Sequence, residues 1–254
     1  FGVGRVSSLF VYPMSFDEFL TATGQEGLLR TKRNSSPANP LPEAFYNRLV
    51  EAFRSYMLVG GMPEAVVIYT ETGSYRYSSD IVNEIIQGYQ DDFAKYGAKA
   101  NPLLLRQTLI SVAHQAGAKF IYSRVEGQYR SAEVKVALEM LKDAGLIIPT
   151  YHTDANGVPL GAEINERVVK YLIHDTGVLL GILGIDDDID DSIKEMMVAD
   201  SINLVDKGHV AEMMAGLELI KYSSPQKRHQ LYYWQNMNKG TCAEVDYVIA
   251  RSGS

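Results

Sequence analysis

The feature that most constrains the fold is a hairpin pattern near the C-terminal end of the chain. An apolar strand at 231–234 is followed by Asn-Lys-Gly at 238–240 and by a second strand that carries Glu244 and Asp246. Asparagine and glycine tolerate the backbone angles that tight turns need, so this spacing predicts a β-hairpin. The chain must therefore build at least part of a sheet at this end.

A helical pattern at 208–219 precedes the hairpin. Four apolar residues recur at helical spacing and are predicted to form its buried stripe: Ala211, Met214, Ala215 and Leu219. Glu212 belongs to the same helix, and we expect it to converge with Asp246. The alternative is that Glu212 faces solvent and that Glu244 and Asp246 simply alternate outward along an edge strand.

The order of these elements, a helix with a glutamate, a strand, and a strand with Glu-x-Asp, resembles the restriction-endonuclease-like fold of the PD-(D/E)xK superfamily. The resemblance implies that Glu212 and Asp246 are catalytic residues that bind Mg²⁺, while a lysine on the next strand positions the attacking water. The residues from Asp246 to Ser254 contain no Glu-x-Lys, so we expect the lysine and a second carboxylate to lie beyond the end of the chain. The nuclease-like domain is then truncated, and this chain alone is expected to be catalytically inactive.

A second resemblance covers nearly the whole chain and rests on short segments that are specific only in combination. These segments lie at 4–6, 12–19, 56–65, 91–96, 122–123, 129–131, 170–177, 232–234 and 244–247. They are similar to the C-terminal region, of unknown function, in a family of prokaryotic AAA+-like ATPases. The resemblance implies that ATP and Mg²⁺ bind to an ATPase core upstream of Phe1, because Gly-x-x-x-x-Gly-Lys-Ser/Thr occurs nowhere in this chain. No cofactor is expected to bind to the chain itself.

Residues 1–12 are predicted to form a strand, and Ser15 is predicted to cap the helix that follows, with Asp17 and Glu18 in its first turn. In an ATPase assembly, Arg5 can reach the γ-phosphate of a neighbouring subunit and stabilise phosphoryl transfer as a catalytic residue. This interpretation needs a homo-oligomer. The alternative is an ordinary exposed or structural arginine.

The middle of the chain has the plan of a winged helix-turn-helix. A helix at 103–116 is followed by a second helix with Ser131 as its predicted N-cap, and strands at 146–151 and 167–173 flank a turn to form the wing. The apolar positions that recur at helical spacing in the two helices are Leu105, Leu109 and Val112, and Val134, Ala137, Leu138 and Leu141. These positions are predicted to face the core of the domain.

In a DNA-reading version of this domain, Arg130 and Lys135 lie nearest the phosphates or bases of the major groove. Glu133 and Glu139 occupy polar positions of the same helix and repel phosphate, and the net charge of −7 does not indicate a general nucleic-acid binder. DNA is therefore one candidate partner, and packing against neighbouring domains or another protein is the alternative.

Gly60, Gly61 and Pro63 are predicted to interrupt the helices between 41 and 96. With 254 residues and 46% hydrophobic content, the chain can bury several small cores, so we predict an α+β, multi-domain protein. The predicted domains are the end of the ATPase core with a helical lid or connector (1–100), a winged-helix domain (101–175) and a truncated nuclease-like α/β domain (176–254).

Several classes of site and location are excluded or favoured by composition. The single cysteine, Cys242, excludes a disulfide framework and a cysteine zinc site, and the five histidines lack paired helical spacing. No apolar run is long enough to span a bilayer and no leader is evident, so we expect a cytoplasmic protein without a membrane partner. Two functions stay open: the C-terminal region of a DNA-transacting or regulatory ATPase, or a non-catalytic interaction scaffold with a degenerate nuclease fold.

Overall fold

The computed structural model describes residues 4–96, 101–184, 207–236 and 243–250. They form an α+β fold with a small mixed sheet of four strands, which confirms the α+β part of the predicted fold class. The described α-helices are α1 (Phe16–Ala22), α2 (Glu26–Arg33), α3 (Glu43–Val59), α4 (Pro63–Thr72), α5 (Tyr75–Phe93), α6 (Pro102–His114), α7 (Ser131–Asp143), α8 (Thr176–Ile182) and α9 (Lys207–Lys221). The described strands are β1 (Ile147–Thr153), β2 (Ile164–Ile173), β3 (Leu231–Gln235) and β4 (Glu244–Val245).

The chain divides into two compact units. The helical unit contains residues 12–95 and 175–207, and the sheet unit contains residues 1–11, 96–174 and 208–254. Of the described helices, α1 to α5 and α8 belong to the helical unit. The three-domain division and the specific winged-helix and nuclease-like folds stay predictions. None of the described helices is long and apolar enough to cross a lipid bilayer.

Local signals place the first helices of the helical unit where they were predicted. Ser15 caps α1: its hydroxyl accepts the Glu18 N–H, and the Glu18 carboxylate accepts the Ser15 N–H at 2.7 Å. The predicted break at Gly60 is also confirmed, because α3 ends at Val59 and Gly60 has a positive φ of 78°. The aromatic residues Phe19 and Tyr56 pack in the core of this unit, with ring centroids 5.2 Å apart.

A buried carboxylate joins α8 to the turn between α3 and α4 within the helical unit. Asp175 is 0% exposed, and its two oxygens accept the N–H of Gly61 at 2.6 Å and the N–H of Val178 at 3.2 Å. The close approach depends on glycine, because a Cβ at Gly60 would lie 2.2 Å from Asp175 Oδ1 and a Cβ at Gly177 would lie 2.6 Å from the Val59 carbonyl oxygen. We call this arrangement the Asp175 junction.

The sheet of the sheet unit has the strand order β2-β1-β3-β4. The β1 and β2 strands pair antiparallel, β1 and β3 pair in parallel, and β3 and β4 pair antiparallel. The predicted C-terminal hairpin is therefore present as β3 and β4, while its predicted turn at 238–240 lies outside the described residues. The two strands of the predicted wing and the two strands of the predicted nuclease-like hairpin share one sheet.

Three local predictions in the sheet unit are wrong. Residues 6–11 form no strand, although the Phe10 N–H donates to the Pro225 carbonyl at 2.8 Å. Arg130 rather than Ser131 is the N-cap of α7, and its own N–H donates to the Glu133 carboxylate at 2.8 Å. The helix therefore begins at Ser131, one residue earlier than predicted, because Glu133 satisfies the exposed N–H of Arg130 from within the first turn.

The buried stripe of α9 is the third prediction, and it is wrong in part: Met214 is buried as predicted, but Ala211 and Ala215 are exposed. The residues that α9 buries are Val210, Met213, Met214, Leu217 and Ile220. These larger side chains also recur at helical spacing, and burying them removes more apolar surface from water than burying two alanines does. The apolar faces predicted for α6 and α7 are confirmed, since all seven of the residues named for them are buried.

Candidate metal centre

Three carboxylates converge at the end of the β3–β4 hairpin. Glu212 comes from α9, Glu244 from β4 and Asp246 from the residues directly after β4. One oxygen from each of the three lies within 4.8 Å of the others. We call Glu212, Glu244 and Asp246 the carboxylate cluster. The structure therefore brings together the two residues that were predicted to converge, and their roles in catalysis and metal binding stay predictions.

The hairpin and α9 position these side chains through local contacts. Glu244 pairs with Gln235 in the hairpin, and Asp246 follows it by two residues, in a bend directly after β4. The Tyr247 hydroxyl donates to the backbone oxygen of Glu212 at 2.8 Å and holds α9 against the hairpin. Gly216 permits this approach, because a Cβ there would lie 2.4 Å from the Tyr247 hydroxyl oxygen.

A lysine that sequence reasoning missed lies against the cluster. Lys170 Nζ, from β2, is 2.8 Å from Glu212 Oε1 and forms a second ion pair with Glu244. Its side chain is only 6% exposed. Burial alone lowers the pKa of Lys170, but the hydrogen bonds and charges of Glu212 and Glu244 outweigh this effect and raise the pKa above its usual value. Lys170 therefore stays charged.

The signal that identifies Lys170 is a charged residue in an otherwise apolar strand. Val168, Val169, Tyr171 and Leu172 around it are all buried. A lysine is almost never buried without a partner of opposite charge, so its position in such a run predicts a nearby carboxylate. The sequence does not say which carboxylate, because Lys170 is 42 residues from Glu212 and 74 from Glu244.

The cluster carries more negative charge than its lysine neutralises. In the described part of the chain, three carboxylates face one ammonium, which leaves two negative charges in excess. Burial raises the pKa of Glu212 above its usual value, Lys170 opposes this shift, and the charges of Asp246 and Glu244 add to it. Such repulsion favours uptake of either a proton or a cation.

Three buried polar groups on β1 and β3 lack hydrogen-bond partners among the described residues. The hydroxyl of Tyr233 is one of them, and the Tyr233 side chain is 0% exposed with its ring centroid 5.1 Å from Lys170 Nζ. Burial, and then the charges of Glu244 and Glu212, raise the pKa of Tyr233 to about 12, so its hydroxyl stays a donor at neutral pH. The other two are the hydroxyl of Thr150, which lies opposite Lys170 in the sheet, and Nδ1 of His152, whose Nε2 donates to the Gln235 carbonyl at 3.1 Å.

The donor set of the cluster fits a hard divalent cation. Carboxylate oxygens are the ligands preferred by Mg²⁺, Mn²⁺ and Ca²⁺. Oxygens at about 2.0–2.6 Å from one ion lie at most about 4–5 Å from each other. The 4.8 Å limit on the separations in the cluster agrees with this requirement. Glu212, Glu244 and Asp246 are therefore able to share one ion.

The other predicted site residues lie elsewhere. Arg5 is exposed in a turn, and Arg130 and Lys135 are exposed at the N-terminal end of α7. None of the three belongs to the carboxylate cluster. The predicted roles of Arg5 in phosphoryl transfer and of Arg130 and Lys135 in DNA binding stay predictions.

Comparison with known proteins identifies a family without a known role. The family described as "Domain of unknown function (DUF8612)" matches residues 50–189, more than half of the chain, and the chain belongs to this family. The matched part includes Lys170 and Asp175 and ends before Glu212. No curated protein and no solved structure matches the chain. The predicted region of unknown function is thus confirmed at this coarse level, and the match bears on neither the ATPase nor the nuclease resemblance.

Proposed function

We propose that this chain is a cation-dependent, DNA-directed module of a larger AAA+-like ATPase, and that its carboxylate cluster binds one divalent cation. The observation that supports the proposal most directly is the excess of two negative charges among Glu212, Glu244 and Asp246. One divalent cation neutralises that excess. ATP and its Mg²⁺ bind in this proposal to an ATPase core outside the chain.

Each residue has a definite part in the proposed site. Glu212 and Asp246 hold the cation, and Glu244 is shared between the cation and Lys170. A bound Mg²⁺ supplies Lewis-acid polarisation of a phosphodiester and lowers the pKa of a coordinated water. The chain's own contribution is to place the ligands, to keep a cationic lysine close by and to offer the Tyr233 hydroxyl as a donor. Cation binding, rather than turnover, is the property expected of the chain alone.

A second candidate function is a non-catalytic scaffold, and the Lys170 ion pairs favour it. Lys170 already satisfies Glu212 and Glu244, and a buried ion pair of this kind holds α9, β2 and β4 together without any metal. In that case the cluster has a structural role, and the sheet serves as a platform for a partner protein.

Isothermal titration of the chain with Mn²⁺ and with Mg²⁺ separates the two functions. The proposal expects saturable binding of one ion and a loss of affinity of about tenfold or more in Asp246→Asn, since a neutral amide is a much weaker ligand than a carboxylate. Asp246 is the best residue to change, because it has no ion pair with Lys170 in the described part of the chain. Asp143→Asn, on an exposed carboxylate at the end of α7, is the matched control and should bind as wild type does.

Two outcomes contradict the cation site. Wild-type protein that takes up no ion in a saturable way rules it out directly. Equal affinity in Asp246→Asn and wild type rules out the assigned ligands. If, in addition, Glu212→Gln unfolds at a lower urea concentration than wild type, the scaffold function is the one supported.

A further inference from the structure

We propose that the ammonium of Lys170 competes with the divalent cation for the carboxylate cluster. This competition sets the affinity of the site for the cation. This inference rests on the proposed function, because the competing ion is the one assigned to Glu212, Glu244 and Asp246. Lys170 belongs to the family-matched part of the chain, whereas the three carboxylates lie after it.

Lys170 Nζ pairs with carboxylates that a bound cation would also use. It is 2.8 Å from Glu212 Oε1 and pairs with Glu244, so two of the three carboxylates already accept hydrogen bonds from the ammonium. A metal ion that uses the same oxygens binds them at about 2.0–2.6 Å. The ammonium and the ion then share carboxylates at roughly 4–5 Å from each other, where two positive charges repel strongly in a partly buried site.

Lys170 has little room to withdraw. Its side chain is 6% exposed, and its Nζ lies 5.1 Å from the centroid of the Tyr233 ring, whose face attracts the ammonium. The lysine therefore stays beside the carboxylates when an ion arrives, and the ion has to pull Glu212 or Glu244 away from it. The free energy of breaking that ion pair is subtracted from the free energy of cation binding.

Two observations indicate that Lys170 alone does not complete the site. Asp246 is exposed and has no ion pair with Lys170 within the described residues, which leaves one carboxylate open to an ion from solvent. The buried Tyr233 hydroxyl, next to Lys170, has no acceptor among the described residues. A buried donor without a partner is rare in folded proteins, and an oxygen that accompanies a bound ion, such as a coordinated water, would satisfy it.

The test is to remove the charge of Lys170 and measure cation affinity. Lys170→Met keeps a long apolar stem in the buried strand, and we expect it to bind Mn²⁺ and Mg²⁺ at least tenfold more tightly than wild type in calorimetry. Lys170→Arg keeps the charge and should not bind the ion more tightly than wild type, since the guanidinium also pairs with carboxylates. Lys227→Met, an exposed lysine before β3, is the matched control for loss of one positive charge and should leave affinity unchanged.

The outcomes of this test separate the inference from the proposed function. If Lys170→Met binds the ion with equal or lower affinity while wild type binds it, the competition is overturned and the cation site stands. If only Lys170→Met binds, and Asp246→Asn abolishes that binding, the competition is upheld and is complete in the wild type, where the proposed function fails. If neither binds, both proposals fail.

A measurement on the wild type tests the inference without relying on the folding of Lys170→Met. The ammonium of Lys170, labelled with ¹⁵N, is buried enough to exchange slowly and to give its own NMR signal. Mg²⁺ is expected to shift this signal as the ion takes over the carboxylates, in proportion to binding. A Lys170 signal that stays in place while the ion binds overturns the inference.

Discussion

Asp175 and the carboxylate cluster show two ways in which this protein keeps negative charge in place. Asp175 is completely buried, and its oxygens accept backbone N–H groups from Gly61 and Val178. Glu212 and Glu244 instead face the side chain of Lys170. A backbone donor cannot leave without unfolding the turn or helix that carries it, whereas a lysine can give up one partner for another. The first arrangement is therefore structural, and the second is suited to exchange of a cation.

The largest effect that tests this comparison is expected from Asp175→Ala. The change leaves the N–H groups of Gly61 and Val178 buried without acceptors, so we expect the free energy of unfolding to fall by about 2–4 kcal/mol. Asp246→Ala removes an exposed carboxylate from a repulsive cluster and should change it by less than about 0.5 kcal/mol. Urea unfolding followed by circular dichroism measures both variants, and equal losses would remove the distinction between the two sites.

A smaller loss of stability is expected when a side chain is added at a glycine of the Asp175 junction. Gly177→Ala adds a Cβ 2.6 Å from the Val59 carbonyl oxygen, and the backbone must shift to relieve the clash. We expect the unfolding free energy to fall by about 1–3 kcal/mol, as for overpacking elsewhere. Gly88→Ala in α5 is the control, since its Cβ meets nothing within 4 Å, and it should stabilise by up to about 1 kcal/mol. Similar thermal midpoints for the two variants would show that the junction is not tightly packed.

The smallest expected change in stability comes from ionisation of Tyr89, which lies near the charge of Asp175, and it appears only at high pH. Burial, and then the charge of Asp175, raise the pKa of Tyr89 from 10.0 to about 12. Because the fold favours the protonated phenol, the stability that it gains is fully present below pH 10 and is lost as the pH rises through about 12. Tyr89→Phe should remove this loss, which amounts to at most about 1.4 kcal/mol per pH unit. Unfolding in urea between pH 9 and 12 measures the difference between wild type and variant, and identical pH profiles would contradict the assignment.

Residues with local partners were predictable, as α1 and the C-terminal hairpin illustrate. Ser15 and Glu18 are three residues apart and satisfy each other within one turn of helix. The face of α9 was predicted wrongly for a related reason. Two overlapping apolar stripes run along that helix, and only the packing of α9 in the sheet unit decides which one is buried. Burial of Met213 and Leu217 rather than Ala211 and Ala215 cannot be read from periodicity alone.

The amino-acid sequence by itself determined the start of α1, the break at Gly60, the helix that carries Glu212 and the strands that bring Asp246 beside Glu244. Each of these depends on hydrogen bonds or backbone angles among residues close together in the chain. Only the tertiary structure decided that β1 pairs in parallel with β3, which places Lys170 of the neighbouring strand against carboxylates 42 and 74 residues away. Parallel pairing is specified by the burial of whole strand faces and not by a turn, so no local pattern in the sequence predicts it.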